Sequence, residues 1–215
     1  MIIEFKRWKL YLVLILIYLS FFIPQGIKMT KMIISTHPID SQRTIVIDPG
    51  HGGIDGGTSY NGLLEKDINL EIGLKLKDYL EENSNAKVIM TRKKDTSLDH
   101  LNKYSRSRHQ RDLRARIDII NQEEADLFIS LHVDHRINQK AMRGAMVLYY
   151  PRHPQNKVIA EIMQKELNDL NYPGVKGTQN KVLKRSSLYV LKAKNTPGVL
   201  IELGFITNPV DYRLL

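Results

Sequence analysis

From Arg43 onward, short apolar runs alternate with segments whose apolar residues recur every three or four positions. Thr44–Asp48 (TIVID) is a β-branched run followed by Pro and Gly, the pattern of a strand buried on both faces. Glu65–Glu82 places Ile68, Ile72, Leu76 and Leu80 four apart, which draws one apolar stripe along a helix. Lys87–Thr91 and Asp126–Leu131 predict two further strands, Gly144–Tyr150 a fourth and Gly198–Glu202 the last. Arg111–Glu124 predicts a helix with Leu113, Ile117 and Ile120 inward, and Asn156–Leu170 another through Ile159, Met163 and Leu167. Polar, basic Lys93–Gln110 reads as a surface loop, and Ser187–Leu191 as a short strand or the start of a helix. Strands alternating with helices predict an α/β fold: a single domain over 43–215, with a mostly parallel, open twisted sheet and helices on both faces. No internal repeat and no low-complexity tract interrupts it.

The first 27 residues follow a different pattern. Lys6, Arg7 and Lys9 precede an almost wholly apolar stretch, Leu10–Ile23, closed by Pro24 and Gly26. A basic head followed by such a stretch reads as an export signal. As a helix the stretch spans about 21 Å at ~1.5 Å per residue, short of a ~30 Å hydrocarbon core unless its flanks contribute. No small-residue cleavage site stands before Ile27, so a signal anchor is favoured over a cleaved signal peptide; a buried core helix is the alternative. Residues 28–42 read as a polar connector. An exported chain is extracytoplasmic, either anchored or secreted.

Composition sharpens this. The 215 residues contain no Cys, which excludes disulfide scaffolds, Cys-ligated zinc, iron–sulfur sites and a thiol nucleophile. Any metal must be held by His and carboxylates. A net charge of +9 draws the chain to polyanions. For an exported protein, anionic wall polymers or lipid headgroups are the expected partners, and nucleic acid is not.

The candidate chemistry lies at strand ends, where open α/β sheets place their sites. The first strand runs into D-P-G-H-G-G-I-D-G-G (48–57), five glycines in ten residues around Asp48 and His51. Its spacing matches neither the dinucleotide nor the phosphate-loop pattern. The third strand ends at His132 in S-L-H-V-D, and the last at Glu202 in I-E-L-G-F. Read from these residues alone, the constellation fits either a mononuclear metal site or ordinary polar strand ends with satisfied hydrogen bonds.

The motifs TIVIDPGHGGIDGG (44–57), LEKDINLEIGLKL (64–76), VIMTR (88–92), ADLFISLHVD (125–134), RGAMVLYY (143–150) and PGVLIELGFITNP (197–209), with the stretch around Leu113 and Arg116, stand in order along the chain. Together they resemble the zinc-dependent N-acetylmuramoyl-L-alanine amidases, over about residues 43–211. The resemblance implies one Zn²⁺ per chain, held by His51, Glu65 and His132 at the carboxyl edge of the sheet, with Glu202 as the catalytic glutamate. It implies hydrolysis of the amide between muramic acid and L-alanine of peptidoglycan, with water as nucleophile. Glu65 alone also reads as a favourable acid at a helix N-terminus. Asp48 is expected to support the Gly-rich turn or orient His51, Asp134 to touch substrate or a ligand, and Arg116 to pair with an acid beneath the sheet. His37, His100, His109, His135 and His153 match no ligand position; His135 is near enough to touch substrate.

GLLEKDINL and YSRSRHQRDLRARID (104–118) most resemble the germination-specific branch, which acts in making the muramic-lactam of spore cortex. A vegetative wall amidase is the alternative within the family. A zinc peptidase or a non-catalytic wall-binding protein on the same fold are alternatives outside it. The sequence names no activating partner protein. The family usually continues past the N-P turn into a closing helix, whereas the sequence here stops at Leu215, thirteen residues after Glu202. The C-terminal helix is therefore expected to be incomplete.

Overall fold

The computed structural model describes residues 42–139, 141–171 and 176–215. The basic and apolar N-terminal segment, and nearly all of the connector after it, lie outside the described residues. Among those described, no helix is long and apolar enough to cross a membrane.

In chain order the elements are β1 (Thr44–Pro49), β2 (Ser59–Tyr60), β3 (Leu63–Leu64), α1 (Glu65–Asn83), β4 (Lys87–Met90), α2 (Arg108–Gln122), β5 (Leu127–Asp134), β6 (Met146–Tyr149), α3 (Pro154–Asn168), β7 (Leu183–Lys184), β8 (Gly198–Phe205) and α4 (Pro209–Tyr212). Single turns of 3₁₀ helix form at Asp99–Leu101, Ile137–Gln139 and Val190–Lys192. Six strands make one sheet in the order β4-β1-β5-β8-β6-β7. The first four run parallel; β6 lies antiparallel to β8, and β7 parallel to β6. The expected α/β class, single domain and mostly parallel sheet are all present.

Strand parity sends side chains to two faces. On one face, Ile45, Ile47, Ile129, Leu131, Val199 and Ile201 pack against Ile68, Ile72, Leu76 and Leu80 of α1 and Ile159, Met163 and Leu167 of α3. On the other, Val46, Phe128, Leu148 and Leu200 pack against Ile120 of α2 and against Val190 and Leu191. Helices thus cover both faces. Each fully buried aliphatic side chain in these layers contributes about 1.5–3 kcal/mol.

Several boundaries differ from the sequence reading. Lys93–Gln110 is not wholly loop: it holds the 3₁₀ turn Asp99–Leu101, and α2 already begins at Arg108, where Ser107 caps it by accepting the Gln110 N–H. Ser187–Leu191 is neither strand nor α-helix; the 3₁₀ turn Val190–Lys192 occupies its end. Leu113 and Ile117 are only half-buried, and α2 instead buries Asp112, Ala115, Arg116 and Ile120. Strands β5 and β8 each run three residues further than expected, to Asp134 and Phe205. At the C-terminus, Asn208 caps α4, and buried Asp211 accepts the backbone N–H groups of Phe205 and Gly144 at 2.9 and 2.8 Å. Tyr212 and Leu215 pack, half-buried, against the α1 side of the core.

Candidate metal centre

The carboxyl edge of the sheet brings the expected residues together. His51 lies two residues beyond β1, Glu65 opens α1, and His132 sits near the end of β5. One ligand atom from each lies within 4.8 Å of the other two. Glu65 is the hub: its Oε1 is 3.1 Å from His51 Nε2 and 2.9 Å from His132 Nδ1, and it accepts the Val133 N–H at 3.1 Å. Its Oε2 accepts the Thr58 N–H at 2.7 Å. The two imidazoles meet edge to face with centroids 5.0 Å apart.

Space for this cluster is made by glycine. A Cβ on Gly50 would lie 2.3–2.8 Å from the His132 ring. One on Gly57 would lie 2.5 Å from Glu65 Oε2, and the positive φ of Gly57, +66°, is itself strained for any other residue.

Below the cluster, two buried arginines hold the turn by its carbonyls. Arg116 donates to Pro49 O at 2.8 Å and His51 O at 2.6 Å; Arg92 donates to Pro49 O and Gly50 O, both at 2.9 Å. Arg116 is 2% exposed, and its charge is met by Asp48 and Asp112, each at 2.7 Å. Asp48 also accepts from Thr91 and Ser130 at 2.7 Å. These contacts keep His51 at φ +63°, a conformation a non-glycine residue holds only when its surroundings fix it. Burial pushes the Asp48 carboxyl up, but the Arg116 charge and the three hydrogen bonds outweigh it and hold the group below its ordinary range.

The electrostatics follow the contacts. Burial opposes the charge on Glu65, yet its bonds to His132 and His51 hold the carboxyl well below the usual carboxylate range. Burial likewise lowers His51, but Glu65 and Asp55 on either side raise it above its ordinary value. Glu202 is the register partner of His132 on β8. Burial pushes its carboxyl up to about 7 despite the nearby His132 charge, and its Oε2 is buried without a hydrogen-bond partner.

The donor set fits a metal ion. Two imidazoles and one carboxylate converge, and their closest N···O separations of 2.9 and 3.1 Å approach the ~3.3 Å edge of a tetrahedron with ~2.0–2.1 Å bonds. Three such donors leave a coordination position open, as catalytic sites do.

Asp134 is engaged locally, accepting from the His135 N–H and from Arg136 Nε at 2.6 and 3.0 Å. Asp48 reaches the turn through Arg116 rather than through the His51 ring. The sequence reading gave no role to Asp55, four residues after His51 in the same turn, or to Arg92, at the end of VIMTR; their positions beside the motif were the available signal. His109 is mostly exposed, as expected, but it approaches Asp55.

A profile of the N-acetylmuramoyl-L-alanine amidase family matches residues 45–215. The germination-specific N-acetylmuramoyl-L-alanine amidase of Bacillus subtilis is 41% identical over 177 residues, covering 81% of this chain and 72% of that protein. The N-acetylmuramoyl-L-alanine amidase LytC of the same organism is 34% identical over 171 residues, covering 78% of this chain but only 30% of LytC. Among solved structures, the CwlD amidase from Clostridioides difficile, in complex with the GerS lipoprotein, superposes with a TM-score of 0.70 at 36% identity. That match covers 80% of this chain and 87% of the other.

Proposed function

The chain belongs to the N-acetylmuramoyl-L-alanine amidase family, and we propose on that premise that it strips stem peptides from spore-cortex peptidoglycan, using zinc held by His51, Glu65 and His132. Its reaction is hydrolysis of the amide joining the lactyl group of N-acetylmuramic acid to L-alanine of the stem peptide. Acting on peptidoglycan puts it outside the cytoplasm. The observation that carries the zinc reading is that His51, Glu65 and His132 each bring a ligand atom within 4.8 Å of the other two.

A zinc ion held by His51, Glu65 and His132 would supply Lewis acidity to the scissile carbonyl and to water. The chain does the rest. Glu65 keeps both imidazoles turned inward. Glu202 Oε2 takes the proton of the attacking water and delivers it to the leaving nitrogen of L-alanine. An amine leaves readily only once that nitrogen is protonated, so one group must serve as base and then acid. Glu202 Oε2, buried without a hydrogen-bond partner, has no competing donor and suits both steps. The buried Arg92 and Arg116 fix the turn that carries His51.

The cortex role is supported by the match to the germination-specific enzyme, which spans most of both chains. The match to LytC covers under a third of that protein, so it speaks less to a vegetative role. The N-terminal basic and apolar segment would anchor the domain at the outer membrane face. The lipoprotein bound to the related clostridial amidase gives the form a partner would take here. Deleting the gene in the source organism tests this. Spore cortex without muramic-lactam is expected; cortex with normal lactam content would overturn the cortex assignment.

A further inference from the structure

The Gly-rich turn carries a second carboxylate, Asp55, four residues after His51 and outside the donor cluster. The turn folds back on itself: Gly52 and Asp55 exchange backbone hydrogen bonds at 2.9 and 3.2 Å. The Gly57 N–H donates to Asp55 Oδ1 at 3.2 Å, which leaves Oδ2 facing His51. Oδ2 lies 3.0 Å from His51 Nδ1 but out of line for a hydrogen bond, so Nδ1 is buried beside a carboxylate without a hydrogen-bond partner, while Nε2 on the other side of the ring lies 3.1 Å from Glu65 Oε1. The imidazole is therefore held between two carboxylates, one inside the cluster and one outside it.

A neutral imidazole carries one N–H, and the hydrogen bond at one nitrogen decides what the other can do. With Nδ1 against a carboxylate, the proton stays on Nδ1 and the lone pair of Nε2 faces the cluster. We infer that Asp55 is a positioning residue for the metal centre, holding His51 in the tautomer and ring orientation that presents Nε2 to the cation. This rests on the metal reading above. Asp55 contributes no ligand atom; it acts through His51. His109 Nδ1 lies 3.8 Å from the same Asp55 oxygen, but its side chain is 59% exposed and it is not one of the cluster's donors. It therefore serves as a control for loss of a neighbouring imidazole.

The test compares the full chain with D55A, D55N and H109Q. Zinc affinity is measured by equilibrium dialysis against a competing chelator, and the histidine ring protons are observed by NMR in the zinc-loaded state. Loss of a carboxylate behind a ligating His typically weakens metal binding roughly 10–100-fold. D55A is expected to show a loss of that order, D55N a smaller one because its amide oxygen keeps an acceptor beside Nδ1, and H109Q none. The parent should show a downfield Nδ1 proton for His51 that D55A lacks. A merely structural Asp55 would lower thermal stability without removing that signal. If D55A does not fold, D55N carries the comparison. Equal zinc affinity and an unchanged ring signal in the Asp55 variants would overturn the inference and leave the metal reading standing. A folded parent that binds no zinc would overturn both.

Discussion

His132 and Glu202 stand side by side in register on neighbouring parallel strands, β5 and β8. Register partners project to the same face of a sheet, so the strand pairing itself sets a candidate ligand beside a candidate base. Glu202 is half-buried with its Oε2 enclosed and unpartnered, which is costly in a fold unless that oxygen is used.

Replacing Glu202 by Gln keeps the shape and removes the titrating oxygen. The expected result is a fall in kcat of roughly 10²–10⁴-fold, with zinc content and KM little changed. Steady-state kinetics with metal analysis on the same sample checks it. Full activity in E202Q would remove Glu202 from the mechanism.

His51→Ala, Glu65→Gln and His132→Ala each remove or weaken one donor of three. Each variant is expected to lose stoichiometric zinc and turnover together. Metal analysis after gel filtration decides it; a variant that keeps both would strike its residue from the ligand set.

Gly57→Ala tests the space made for the cluster. It introduces a Cβ 2.5 Å from Glu65 Oε2 at a positive φ. The backbone conformation alone costs about 1–2 kcal/mol. Lower stability and weaker zinc binding are both expected, read by urea unfolding and zinc titration.

Arg116→Met leaves Asp48 and Asp112 buried without their shared cation. Breaking a buried pair from one side costs about 3–5 kcal/mol. Urea denaturation should show a loss of that size, far beyond what replacing an exposed arginine causes.

The pH dependence of the metal-free protein has a definite sign. Glu202 titrates at about 7 when folded against 4.5 as its ordinary value, so the folded state binds more protons between these limits. Stability from this group is therefore full below about 4.5 and falls as pH rises to about 7, by roughly 3 kcal/mol at ~1.36 kcal/mol per unit. His51, raised above 6.5, adds a loss of the same sign as pH rises through its folded value. Glu65, held low, acts oppositely: its contribution is present above 4.5 and is lost as pH falls through its folded value. Chelator-treated protein should unfold at lower urea at pH 8 than at pH 5.5. Zinc should reverse that order, because the ligands must be deprotonated to bind it.

Much of the fold was legible because local pattern and burial agree. TIVID is apolar on both faces, as a central parallel strand requires, and the four-residue spacing of Ile68 to Leu80 faces the core as drawn. The candidate ligands His51 and His132 were legible as polar residues at strand ends, whereas Glu65, at the start of α1, came only from the family resemblance. The remainder depends on partners distant in sequence. Arg116 is buried in place of Leu113 and Ile117 because it finds Asp48, Pro49 O and His51 O, 65–68 residues away. Periodicity in α2 carries no trace of that. His132 and Glu202 end the apolar runs but not the ladders, so β5 and β8 continued past the expected boundary. Two-residue strands such as β7 leave no periodic signal at all.

The most direct test of the account is release of new N-terminal alanine from purified peptidoglycan by the full chain, measured as purified, after chelation, and after reloading with zinc. The account predicts alanine ends that appear, vanish and return with the metal. A folded, zinc-loaded protein that releases none would contradict it.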